Sequence, residues 1–270
     1  MPAFICTTCG TQHADSNEPP SGCGICQDDR QYVGLGGQHW TTQEALAETH
    51  ENHVEELEPG LWSVETRPAF GIGQRAHLLR HAAGTILWDC VSLIDQETAD
   101  RIAEFGGVDA IAVSHPHFYS SIVDWSEAFG GVPIYLHNDD ARWVCRPDPR
   151  ITFWAGDTYP AGEGVTLVRC GGHFEGSTLL HWAAGADGRG VLLGSDTVKV
   201  GWDLASVSVM RSYPNLIPVG PSALGQVEAA LEPLAYDRIY GAWTRHVIHA
   251  NARDIVAKSF ARYRAAIATT

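Results

Sequence analysis

Two histidines, His115 and His117, stand two residues apart in Ser114-His115-Pro116-His117, directly after the apolar run Val108–Val113. A run of that length reads as a buried strand, so the imidazoles sit at its exit. Pro116 keeps His115 out of helical dihedrals. If the backbone stays extended, residues i and i+2 project to the same side, which offers two nitrogen ligands to one metal ion. A His-x-His also fits an ordinary strand-to-helix loop, so the case rests on partners elsewhere. His173 follows the strand-like Val165–Arg169, and Gly171 and Gly172 beside it allow a sharp turn. Asp196 ends the apolar run Val191-Leu192-Leu193-Gly194. A carboxylate at the mouth of a buried strand, with no lysine or arginine beside it in sequence, needs a partner to stay charged, and a cation would be one. Three imidazoles and one carboxylate make a shell suited to zinc, iron or manganese.

A second set of donors lies near the N-terminus. Cys6-Thr7-Thr8-Cys9-Gly10 and Cys23-Gly24-Ile25-Cys26 are two C-x-x-C pairs separated by 13 residues, the spacing of a zinc ribbon. Each pair predicts a tight knuckle, with Gly10 and Gly24 placed for positive φ. Four thiolates leave no open coordination position, so Cys6, Cys9, Cys23 and Cys26 read as a structural zinc site. A rubredoxin-like iron is the alternative.

The elements between these donors follow from patterning. Gln31 to Gln38 is glycine-rich and reads as a linker. Thr41-Thr42-Gln43-Glu44 offers a capping box for a helix running to about Leu57, ended by Pro59-Gly60. Strands are expected over Leu61–Thr66, Ala76–Arg80 and Thr85–Asp89, then a helix over Asp95–Phe105 capped by Asp95. A helix follows the His-x-His loop from Ser121 to Phe129. Later come the strand Pro133–His137, a short helix from Asn138 and a hairpin turning around Gly185–Gly188. Helices over Ser222–Leu231 and Ala250–Ala268 flank the strand Arg238–Tyr240. Strand runs with interspersed helices predict an α+β fold of two mixed sheets with helices outside. The domain expectation is a ribbon over 1–37, a helical linker over 38–60 and the main domain over 61–270.

Composition narrows the partners. Eighteen Lys and Arg stand against 32 Asp and Glu, a formal charge of −14, which argues against a phosphate-bearing partner such as nucleic acid. No apolar window is long enough for a membrane span, and the N-terminus lacks a signal-peptide pattern. A cytoplasmic protein with reduced cysteines is expected, acting on a small molecule, with self-association into a homo-oligomer left open. Cys90, Cys145 and Cys170 read as isolated buried thiols, and His77, His81, His137, His181 and His249 as ordinary histidines.

His115-x-His117, Gly171-Gly172-His173-Phe174-Glu175-Gly176-Ser177 and Gly194-Ser195-Asp196 occur in the order found in the metallo-β-lactamase superfamily, and from Leu61 onward the chain resembles that superfamily, with a character nearest its glyoxalase II-like members. The resemblance implies an αββα sandwich and a metal site at one edge of it. The family motif His-x-His-x-Asp-His is incomplete, because Tyr119 and Ser120 occupy its last two positions. Aligning Arg238–Ala242 with the strand before the family's final histidine puts Trp243 at that position. Three ligands of a second metal are thus absent together, which implies a mononuclear site; His246, three residues on, is the other candidate ligand.

The expected function is hydrolysis of a small ester, thioester or lactone-like substrate. His115, His117, His173 and Asp196 would hold Zn2+ or Fe2+, Asp196 would orient the hydroxide, and Tyr119 would donate to the developing oxyanion. Trp202, Arg211, Tyr213, Trp243 and His246 are the candidate pocket residues. Two other classes are open: a persulfide-dioxygenase-like non-haem iron enzyme, and a non-catalytic, metal-stabilised binding module.

Overall fold

The structure, a computed structural model, describes residues 1–268. The chain forms two compact units, Met1–Trp154 and Ala155–Thr270. Each is built on one mixed sheet.

The first unit carries a seven-stranded sheet. Glu51–Glu58, Leu61–Arg67, Arg75–His81 and Gly84–Trp88 form an antiparallel meander. Ala110–Ala112, Ile134–His137 and Ile151–Trp154 then continue it in parallel. The parallel strands need crossovers. Helix Gln96–Glu104 supplies one, with Asp95 as its N-cap through a 2.7 Å bond from the Thr98 amide. Helix Ile122–Ala128 supplies a second and ends at Gly130 and Gly131, both with positive φ, and the 3-10 turn Asn138–Trp143 lies in the third.

The helix expected to reach Leu57 stops at Ala47, although Thr42 does cap it. Glu51–Glu58 is a strand instead, paired with Leu61–Arg67 so that Val54 opposes Val64. Tertiary pairing overrides the local preference of a Glu-rich segment. This strand lies at the edge of the sheet, and its exposed Glu51, Glu55 and Glu56 discourage edge-to-edge association. The supposed linker 38–60 is helical only over Gln43–Ala47 and is not a linker, since the boundary at 60 would cut a hairpin. The N-terminal ribbon also packs within this first unit, and the expected main domain 61–270 divides after Trp154.

The second unit holds a six-stranded sheet. Thr158–Gly162, Val165–Arg169, Thr178–Trp182 and Val191–Leu193 are antiparallel. Arg238–Tyr240 joins in parallel and Val247–Ile248 closes the edge. Helices Pro221–Leu231 and Ala252–Ala268 cover one face, where Leu224, Val227 and Phe260 pack on Leu192 and Ile239. Two short pairings, Lys199–Val200 with Val207–Ser208 and Met210–Ser212 with Ile217–Pro218, fill a stretch that looked irregular in sequence.

Leu192 is fully buried at the centre of this core. Leu192→Ala should lower the unfolding free energy by about 2–5 kcal/mol in a denaturant titration. Glu55→Ala, on the exposed edge, should change it by less than about 0.5 kcal/mol.

Candidate metal centres

The four N-terminal cysteines converge within the first unit. Their sulfurs all lie within 4.8 Å of one another, with Cys6–Cys26 and Cys9–Cys23 both at 3.6 Å. A tetrahedral ion with metal–sulfur bonds of about 2.3 Å would space its ligands about 3.8 Å apart, so the donors fit. Hydrogen bonds from Cys26, Cys6 and Cys9 hold the Cys23 thiol far below its usual range, while the Cys23 contact pushes Cys9 and Cys26 up. One thiolate can be stabilised by its three neighbours; four thiolates require a cation. Gly10 has the positive φ expected of a knuckle, but Gly24 is not among the positive-φ glycines. Gln38 adds a side-chain donor to Cys6 Sγ at 3.0 Å, and His13 is raised to about 9 because the thiols Cys145 and Cys23 outweigh burial, which lowers it. Neither was visible in the C-x-x-C pattern.

The segment after the first knuckle is bonded to the His-x-His loop. The Gln12 amide donates to the Ser120 carbonyl at 3.0 Å. Gln12 Nε2 reaches Asp124 Oδ2 at 2.6 Å, and Arg146 ties Gln12 to Asp124. Ser92 Oγ donates to the Gly10 carbonyl at 2.8 Å.

His115 is extended, as its proline neighbour requires, but Pro116–Phe118 is a 3-10 turn. The backbone therefore does not stay extended through His117, and the turn rather than strand alternation sets the ring geometry. The two rings are 5.2 Å apart at 72°, each residue 1% exposed. Ser114 Oγ contacts His115 Nδ1 at 2.8 Å, and the Ser114 amide donates to Asp89 Oδ1 at 2.8 Å. Asp89 lies just past the strand Gly84–Trp88 in a left-handed conformation with φ 61, and fixes the loop from behind. Nothing in the sequence pattern singled it out.

Tyr119 and Ser120 are both buried and engaged inside the first unit. The Tyr119 hydroxyl donates to the Asp140 carbonyl at 3.4 Å, and burial, then the Asp140 charge, pushes its pKa well up. Its proton serves Asp140 rather than an oxyanion, so the role expected for Tyr119 is not the one its contacts show. Ser120, at φ 45, accepts from Gln74 Nε2 at 3.0 Å and donates to the Cys90 carbonyl at 3.2 Å.

In the second unit, Gly171 and Gly172 have φ of +65 and +81, and a Cβ on Gly172 would meet Val227 at 3.0 Å. The glycines let the chain turn tightly against helix Pro221–Leu231 and present His173. Its Nδ1 donates to the Met210 carbonyl at 2.8 Å, so a proton sits on Nδ1, and in the neutral ring Nε2 is the nitrogen open to a ligand. That Nε2 faces Asp196 Oδ2 at 3.7 Å, with side chains only 1% and 7% exposed. Two ligands on a tetrahedral ion at about 2.0–2.1 Å lie about 3.3 Å apart. The spacing is too long for a hydrogen bond and close to that of two ligands on one ion.

Asp196 is not without a basic neighbour, as the sequence reading held. Lys199, three residues on, brings Nζ to 3.6 Å from Asp196 Oδ1. The same ammonium lies 3.6 Å from the Trp243 ring centroid and 4.3 Å from that of Tyr213. Tyr213, expected as pocket wall, shares its hydroxyl proton between the Asp196 and Ser208 carbonyls at 2.8 and 2.9 Å, and burial first, then Asp196, raises its pKa well up. His246 is buried, edge-on to Trp202 at 4.7 Å and 6.3 Å from Trp243. Trp202 itself is 91% exposed, and Arg211 is half-buried on Met210–Ser212.

These donors sit on the scaffold of a metallo-β-lactamase fold. The metallo-β-lactamase FIM-1 from Pseudomonas aeruginosa, in a mono-zinc form, matches with a TM-score of 0.56 at 13% identity, over 80% of this chain and 96% of that one. DIM-1 metallo-β-lactamase matches with a TM-score of 0.58 at 10% identity, over 80% and 98%. A Cronobacter sakazakii metallo-β-lactamase with a HARLDQ motif matches at 0.51 and 19%, over 80% and 93%. No protein-family model matches the chain. The chain belongs to the family of the uncharacterized protein YmaE of Bacillus subtilis (strain 168), 47% identical over 265 residues, which are 97% of this chain and 96% of that protein. His115, His117, His173 and Asp196 have the composition of a metal shell, as do the four cysteines.

Cys6→Ser should remove one metal equivalent per chain and lower the melting temperature. Metal analysis beside a thermal melt measures both; an unchanged melt with all metal retained would contradict a structural ribbon site.

Proposed function

We propose that this protein is a metal-dependent hydrolase of a small ester, thioester or lactone-like substrate, with one ion held by His115, His117, His173 and Asp196. The observation that carries the reading is the buried pair His173 and Asp196, a lone pair facing a carboxylate at 3.7 Å, with the imidazole tautomer set by Met210. A neutral imidazole and a carboxylate buried side by side at this spacing suit a shared cation. The fold supports the same reading.

His115, His117, His173 and Asp196 would hold the ion, and a zinc bound there would supply a nucleophilic water near neutral pH, since zinc lowers the pKa of bound water to about 7 from about 15.7. The chain's own groups do the rest. His173 is held rigid by the Met210 carbonyl, and His115 by Ser114 and Asp89, so little reorganisation remains for the reaction. Asp196 presents one oxygen toward His173 and accepts a proton or orients water there. Tyr213 anchors the Asp196 backbone. Tyr119 has no catalytic part in this scheme, because its hydroxyl serves Asp140.

The mononuclear reading is supported by the engagement of Tyr119 and Ser120 in protein hydrogen bonds, which leaves neither as a metal ligand. Zinc is favoured over iron by the four-cysteine spacing for the ribbon, and by the FIM-1 mono-zinc form as the example of this fold with one ion. None of the seven cysteines is in a disulfide, which fits a reducing, cytoplasmic setting, and no helix among the described residues is long and apolar enough to cross a membrane.

Purified protein should carry about two metals per chain, one in each shell. His115→Ala should lose one of them and abolish turnover of an ester and thioester panel, with an unchanged circular dichroism spectrum. Three metals per chain, or full turnover by the variant, would rule out this mechanism. Oxygen uptake on a persulfide by an iron-loaded form would favour the dioxygenase class instead.

A further inference from the structure

We propose that the Lys199 ammonium serves as the second cation of this site, doing for Asp196 what a second metal ion would do. The inference rests on the one-metal reading above and adds the group that makes one metal sufficient.

Asp196 is almost completely buried and has two oxygens to satisfy. Oδ2 faces His173 Nε2 at 3.7 Å, the side of the proposed ion, while Oδ1 faces Lys199 Nζ at 3.6 Å. The carboxylate thus bridges a metal-ligand lone pair on one side and a fixed positive charge on the other. Lys199 is held to that place by more than the carboxylate. Its backbone lies in Lys199–Val200, with Lys199 paired to Ser208, and the Ser208 carbonyl takes the Tyr213 hydroxyl. Its ammonium rests against two aromatic faces, Trp243 at 3.6 Å and Tyr213 at 4.3 Å, contacts that attract a cation through the ring quadrupole.

The identity of residue 243 completes the argument. An imidazole at that position would offer a lone pair to a metal ion. The indole of Trp243 has no lone pair to give, but its π face suits an ammonium. Residue 243 thus holds the ammonium beside Asp196 and supplies no ligand of its own. A covalently tethered cation cannot dissociate, and it leaves Asp196 with a constant partner whether or not the metal shell is filled.

Lys199 then competes with the metal for the charge of Asp196 and repels the ion directly. Removing its charge should tighten metal binding at the histidine shell and leave the cysteine site alone. The experiment titrates zinc into protein whose cysteine site is already filled, against a chromophoric chelator. Lys199→Met should bind roughly tenfold more tightly or better, whereas Lys199→Arg, which keeps the charge and the attraction to the rings, should not show that gain. Lys199→Gln is a second neutral variant, used if Lys199→Met loses its cysteine-bound zinc or its circular dichroism spectrum. Unchanged affinity in a folded neutral variant would reduce Lys199 to a surface ion pair and overturn the proposal. Weaker binding would overturn it too, by making Lys199 only a packing support for Asp196. If wild-type protein binds no zinc that His115→Ala abolishes, the metal-site reading and this inference fail together. If wild type binds zinc and the neutral variants do not tighten it, the inference alone fails.

Discussion

Buried lone pairs that face one another are stable only around positive charge, and this constraint organises both donor sets. Four sulfurs within 4.8 Å cannot all be thiolates without an ion, as the opposed shifts of Cys23, Cys9 and Cys26 express. His173 and Asp196 pose the same problem with nitrogen and oxygen, at 3.7 Å and almost without solvent. In water either cluster would be hydrated and unremarkable. Inside the protein the loss of hydration turns geometry into a demand for a cation.

The chain spends much of its structure on making that demand rigid. His173, His115 and Asp196 are each held by a neighbour that is itself fixed. Met210 sets His173, Ser114 and Asp89 set His115, and Tyr213 and Lys199 set Asp196. Such supports determine which nitrogen carries the proton and where the lone pair points. The ribbon joins this system through Gln12, whose amide and side chain reach Ser120 and Asp124. Part of what looked like an appendage is a brace for the His-x-His loop.

The departures from the superfamily motif become intelligible at the level of single hydrogen bonds. Tyr119 and Ser120 are not idle replacements, since their hydroxyls satisfy the carbonyls of Asp140 and Cys90. Trp243 offers a ring face to Lys199. The side chains at these three positions are engaged by the protein itself.

Legibility followed the range of the interactions. Knuckle spacing, the His-x-His exit from an apolar strand, the Asp95 cap and the glycine-flanked His173 are local features, and each could be read from neighbouring residues. The Glu51–Glu58 strand could not, because its conformation comes from pairing with Leu61–Arg67 and its own residues favour a helix as much. The turn at Pro116–Phe118, the tie of Tyr119 to Asp140 and the ammonium of Lys199 over Trp243 were equally hidden. Sequence by itself determined the two donor sets and the α+β class, since ligand type, spacing and hydrophobic period are properties of short segments. Tertiary structure alone decided which hydroxyls were already spent and which cation answers Asp196, because those depend on side chains brought together from 21 residues apart at Tyr119 and Asp140, or from different strands and loops at Lys199 and Trp243.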